Sequence, residues 1–120
     1  TWLNIAALNL NGGTFTMTNT VATPLINRLS DDAPITVNGG TLNYNNAASS
    51  SLTYSEAIGL VTLASGTLNL ALSGTMTGSG SQTLTLAGLN RTGLTSTATF
   101  STGTTPPNAA TNKIACPTED

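Results

Sequence analysis

Ile35-Thr36-Val37-Asn38-Gly39-Gly40-Thr41-Leu42-Asn43-Tyr44 alternates apolar and polar residues on both sides of an Asn-Gly-Gly corner. The pattern returns twice. Leu8-Asn9-Leu10-Asn11-Gly12-Gly13-Thr14-Phe15-Thr16-Met17 precedes it, and Val61-Thr62-Leu63-Ala64-Ser65-Gly66-Thr67-Leu68-Asn69-Leu70 follows it. With Gly13, Gly40 and Gly66 aligned, the intervals are 27 and 26 residues. A fixed period of this size marks a stacked repeat array, in which a single unit cannot bury its apolar face and a neighbour completes the core.

The composition suits such an array and excludes several function classes. Only 7% of the 120 residues are charged, against roughly 25% in ordinary soluble domains, and Thr, Asn, Ser and Gly fill the deficit. With 38% hydrophobic residues, a mean hydropathy of +0.10 and a net charge of −2, the chain lacks the high charge and low hydrophobicity of disorder. Three basic residues, Arg28, Arg91 and Lys113, are too few to neutralise a run of phosphates, so no nucleic-acid partner is expected. No apolar run approaches the roughly 18–20 residues of a membrane span. A signal peptide is absent or already removed, so Thr1 reads as a processed or excerpted terminus. The single cysteine, Cys116, excludes an internal disulfide framework and leaves a candidate intermolecular crosslink.

Period-two alternation runs through the chain and no stretch carries a helical period. The expected content is therefore all-β. Repeat units are read near 8–34, 35–60 and 61–87, with a degenerate unit at 88–104, together making a repeat domain over 1–104. The segment 21–34, with Pro24, Pro34 and Asp31-Asp32, reads as a loop. From Thr104 onward Pro106-Pro107 opens a segment without periodicity, and 105–120 reads as a Pro-rich tail or linker. Two folds fit. One is a parallel β-solenoid with coils of about 27 residues, each adding about 4.8 Å of height. The other is an antiparallel β-sandwich or jelly roll, since Asn-Gly between alternating strands is a strong hairpin signal.

Residues 35–104 resemble the autotransporter-associated β-strand repeat proteins, long bacterial surface or secreted polypeptides. The resemblance rests on Val37-Asn-Gly-Gly-Thr-Leu-Asn-Tyr44, on Ser55-Glu-Ala-Ile-Gly-Leu-Val-Thr-Leu-Ala-Ser-Gly-Thr-Leu-Asn-Leu70 and on Leu84-Thr-Leu-Ala-Gly-Leu-Asn-Arg-Thr-Gly93. It implies the β-helix, and an extracellular or cell-surface location.

Candidate chemistry is sparse. Without histidine there is no Ser-His or Cys-His nucleophile system, and the commonest metal ligand is missing. Asp31-Asp32 could form half of a calcium site, but a solvated loop tip explains the pair more simply. Glu56 stands alone between Tyr54 and Ile58, where the reading is structural: its carboxylate accepts backbone N–H groups at a corner where the ladder is interrupted. Gly13, Gly40, Gly66 and Asn38 are read as the other structural corners. Threonine rows raise ice binding, with Thr14, Thr41 and Thr67 as the column that stays threonine, and Trp2, Tyr44 and Tyr54 raise sugar stacking. Ordinary strand propensity and burial explain both sets.

The expectation is a non-enzymatic extracellular structural protein without cofactor or metal, forming a stalk or fibre, with adhesion as a candidate role. Its alternative is a pilus-like filament subunit that polymerises by strand donation or edge pairing. Its partner is then itself, or neighbouring repeats of a longer chain. Trp2, Leu3, Ile5, Leu8 and Leu10 form the candidate assembly segment, because an uncapped edge recruits other strands.

Overall fold

A computed structural model describes residues 5–19, 27–46, 52–74, 76, 79–102 and 111–117. They form seven strands: β1 (Leu8–Leu10), β2 (Thr14–Asn19), β3 (Ile35–Asn46), β4 (Thr53–Ser73), β5 (Ser81–Arg91), β6 (Thr97–Ser101) and β7 (Asn112–Ala115). Every pairing between them is parallel. The chain is an all-β parallel solenoid of about three turns, its coils about 28 residues apart. No antiparallel sandwich forms among the described residues.

Three stacks of strand build the coils. Leu8–Leu10 lies on Ile35–Val37, which lies on Val61–Leu63, which lies on Leu89–Arg91. Phe15, Leu42, Leu70 and Phe100 form a column in the second stack, beside Met17, Tyr44 and Leu72. In the third, Tyr54 lies on Gln82 and Gln82 on Asn112. Alternation sends every second side chain inward, so each coil contributes one apolar residue per column. The result is a continuous core from Leu10 and Met17 through Val37, Leu42 and Val61 to Leu84 and Leu86, all buried.

The Asn-Gly-Gly corner shows why the hairpin does not form. Strand β3 runs through it, with Gly39 at φ +88° and Gly40 at φ +124°. These are angles that a side chain resists. Its backbone groups find partners in the corner of the coil above: Gly12 N–H donates to the Gly39 carbonyl at 2.8 Å, and Thr41 N–H to the Gly13 carbonyl at 2.8 Å. Side chains repeat the connection, Asn38 Nδ2 donating to Asn11 Oδ1 at 2.8 Å and Ser65 Oγ to Asn38 Oδ1 at 3.1 Å. A turn signal is local, whereas these bonds reach 27 residues along the chain and hold the corner open.

The register corrects one alignment of the sequence. Gly40 faces Leu68, not Gly66, because the ladder between β3 and β4 is irregular at Val37/Asn38 and Asn38/Gly40. Gly66 packs instead on Gly39, where an added Cβ would lie 3.0 Å from the Gly39 Cα. The threonine rows shift with it: Thr14 and Thr41 lead to Asn69, and Thr16 and Asn43 to Ala71, so the expected Thr14–Thr41–Thr67 column does not exist. Thr67 faces Thr97, with their hydroxyls 2.8 Å apart.

The later segments also differ from the sequence reading. Within 88–104, Thr97–Ser101 is strand β6 on β4, and the preceding corner has lengthened. Counted to the residues in register with Thr14, which are Thr41, Asn69 and Thr99, the connection between the same two stacks covers 11–13 in the first coil, 38–40 in the second, 64–68 in the third and 92–98 in the last, where its final two residues already belong to β6. The period blurs because the corner grows while the strands stay in step. Within 105–120, Asn112–Ala115 is strand β7 on β5, so part of the segment read as tail or linker adds to the solenoid.

Gly74 closes the β4 side of the second stack at φ +100°, where a Cβ would run into the Asn46 carbonyl. Gly74→Val is expected to lower the unfolding free energy by about 3–5 kcal/mol, combining a left-handed backbone penalty with overpacking. The denaturation midpoint against the parent chain checks this.

Candidate functional site

The densest polar chemistry lies inside the first two coils. Residues 27–34 carry no strand, so among the described residues the third stack has no ladder above the start of β4. Glu56 supplies what a strand would have supplied. Its alternation with Tyr54 and Ile58 turns it inward, where it is 2% exposed, and Oε1 accepts the N–H groups of Arg28 at 2.7 Å and Leu29 at 2.9 Å. Two buried donors that would otherwise be orphaned are thereby satisfied by one oxygen.

Arg28 is itself 2% exposed, and its guanidinium lies over the Tyr44 ring at 5.5 Å from the centroid, within cation–π range. Arg28 Nε and Nη2, the Tyr44 hydroxyl and Glu56 Oε2 have no hydrogen-bond partner among the described residues. Beside Arg28 and Leu29 a cavity of about 70 Å³ is lined by Ile5, Phe15, Thr16 and Met17. Burial raises the Glu56 carboxyl above its ordinary range, against the lowering effect of the Leu29 and Arg28 N–H groups and of the Arg28 charge. Burial also raises the Tyr44 hydroxyl, an effect the Arg28 charge reduces.

That shift has a pH signature. A carboxyl whose folded pKa lies above its unfolded value binds a proton in the fold where the unfolded chain has released it. Its contribution to stability is therefore fully present on the acid side and is lost as pH rises, in a window that opens near roughly pH 4.3, the ordinary value for Glu. A Glu56→Gln variant cannot titrate. Melting temperature followed from acid to neutral pH should fall more steeply for the parent than for this variant.

A second polar element runs the length of the core. Asn19 Nδ2 donates to Asn46 Oδ1 at 2.6 Å, Asn46 Nδ2 to Gln82 Oε1 at 2.7 Å, and Gln82 Nε2 to Asn112 Oδ1 at 2.6 Å. All four residues are buried. Asn46 and Gln82 each accept from one neighbour and donate to the next, the arrangement that makes amide ladders favourable between stacked strands. Sequence reasoning did not single out these residues. The available signal was Asn19 and Asn46 standing 27 apart, the spacing of the corner glycines.

The other sequence candidates are placed as follows. Gly13, Gly40 and Gly66 all have positive φ, at +75°, +124° and +67°, and with Asn38 they lie in the stacked corners. Ile5 edges the cavity, while Leu8 and Leu10 pair with β3 of their own chain; Trp2 and Leu3 lie outside the described residues. Tyr44 and Tyr54 are buried at 0% and 1%, so neither presents a ring to a sugar. Asp31 and Asp32 are exposed, and no group of three or more metal-ligating side chains occurs among the described residues. Cys116 is a free, exposed thiol. No described helix is long and apolar enough to cross a membrane.

Set against protein-family models, curated proteins and solved structures, the chain matches none of them.

Proposed function

We propose that this chain is a structural solenoid segment, a non-enzymatic element of a stalk or fibre at a bacterial cell surface. The observation that carries the reading is the axial continuity of the interior. Apolar columns and one amide ladder pass from coil to coil, so successive coils are joined by buried side chains as well as by backbone bonds. The outward side chains are chiefly Thr, Asn and Ser, with few charges. Such a body resists separation along its axis and presents a surface of hydroxyl and amide groups, from which adhesion would proceed.

Force spectroscopy, with the chain held at its two ends between marker domains, tests this. The scaffold reading expects distinct unfolding peaks that release whole coils. Featureless extension below the force at which the markers unfold would contradict it. Self-association is the second reading, favoured by the outer edges of β1 and β2, which pair with no other strand among the described residues. Light scattering across a concentration series separates the two, since edge pairing requires mass to grow with concentration.

A further inference from the structure

Among the asparagines of this chain, Asn90 alone is followed two positions later by a serine or threonine. Asn90-Arg91-Thr92 is thus its single Asn-X-Ser/Thr sequon, the acceptor motif of N-linked glycosylation. A sequon is usable only where its amide is displayed. The fold decides that.

Near the end of β5, Leu89 is in register with Val61, Asn90 with Thr62 and Arg91 with Leu63. Val61 and Leu63 are buried, so alternation turns Thr62 outward, and Asn90 shares its phase. Asn9, Thr36, Thr62 and Asn90 make one outward column through successive coils. Thr36 and Thr62 have a paired strand on each side and still keep part of their surface open. Display of the Asn90 amide therefore follows from the outward phase of its column, whatever lies along the edge of β5. Asn90, Arg91 and Thr92 are all exposed, as are Leu94 and Thr95 beyond them, so the sequon opens onto a projecting corner.

The hydroxyl of the sequon is loosely held. The Leu63 carbonyl accepts the Thr92 N–H at 3.0 Å and the Gly93 N–H at 3.1 Å, while Thr92 Oγ1 reaches the same oxygen only at 3.5 Å. A carbonyl oxygen has two lone pairs, and the two backbone donors occupy them at shorter range. These backbone bonds fix where the sequon leaves the strand. The Thr92 hydroxyl is the donor released at least cost when a transferase engages it.

We propose that the fold presents Asn90 as an acceptor site for an N-linked sugar, taken from a donor in which the anomeric carbon is bonded to a phosphate. In the transfer a bond forms between Asn90 Nδ2 and that carbon, and the bond from the carbon to the phosphate oxygen breaks. The phosphate leaves with the bonding electrons, and one amide proton passes to a base of the transferase. The sugar stands on the outer face of the coil and displaces nothing in the core. The inference rests on coil geometry and holds independently of the scaffold reading.

The folded whole chain, incubated with uridine diphosphate glucose and a soluble N-glycosyltransferase that accepts Asn-X-Ser/Thr peptides, tests it by mass spectrometry. One hexose on Asn90 is expected, absent from Asn90→Gln and from Thr92→Val and retained in Thr92→Ser. The glycosylated chain should keep the urea midpoint of the parent, because the attachment point faces away from the core. Transfer to the urea-unfolded chain but not to the folded one would overturn the proposal. So would transfer to neither, transfer that survives Thr92→Val, or a lowered midpoint after modification.

Discussion

Glu56→Leu is expected to destabilise the fold by about 2–5 kcal/mol, the cost of leaving two buried N–H donors without their acceptor. Leucine fills similar space and belongs in this strand, so packing does not cause the loss. The cause is polar: the Arg28 and Leu29 N–H groups lose their shared acceptor at 2.7 and 2.9 Å, and the buried Arg28 guanidinium loses the only buried carboxylate among the described residues. Glu56→Gln retains a carbonyl at the Oε1 position and should lose less than Glu56→Leu. Urea unfolding of the three chains measures the ordering. Equal midpoints for Glu56→Leu and the parent would remove Glu56 from any role in holding residues 28 and 29.

Asn46→Leu is the second large effect, expected at about 2–4 kcal/mol, because two buried hydrogen bonds end at this residue and a neighbour on each side is left without its partner there. Asn46 accepts from Asn19 and donates to Gln82, so its loss severs the ladder at two successive junctions. The exposed ladder through Asn11, Asn38 and Ser65 provides the control. Asn38→Ala removes bonds of similar length, at 2.8 and 3.1 Å, but water replaces them, and the loss should be about 1 kcal/mol or less. A denaturation midpoint for Asn46→Leu no lower than that for Asn38→Ala would show that the buried amides do not couple the coils.

The two halves of this account were not equally legible in the amino-acid sequence. The stacked coils were readable from Leu8–Met17, Ile35–Tyr44 and Val61–Leu70, since an apolar face repeated every 26 or 27 residues has to be buried against its own copy. The hairpin alternative arose at the same residues, because Asn38-Gly39 satisfies the local requirement of a turn and long-range backbone bonds alone decide against it. The register between β3 and β4 was hidden, since extra residues in Ala64–Leu68 are absorbed in a corner where alternation carries no information. Glu56 was conspicuous as a lone acid among apolar residues, whereas Arg28 was not: it lies in a stretch with no alternation, so no sequence pattern indicated that it is buried. The amides of Asn19, Asn46, Gln82 and Asn112 resembled surface residues by type. Their burial follows from the inward phase of each strand, and a polar residue in an inward phase is legible only when the strand boundaries are known.

The coil stacking at the Asn-Gly-Gly corner is the claim on which everything else depends, and proton–proton contacts in solution test it most directly. Parallel coils require backbone contacts from Thr41 to Thr14 above and to Asn69 below, with the Thr41 amide proton protected by the Gly13 carbonyl. An Hα–Hα contact between residues facing each other across Asn38-Gly39, without contacts 27 or 28 residues away, would mean an antiparallel hairpin and would contradict the solenoid.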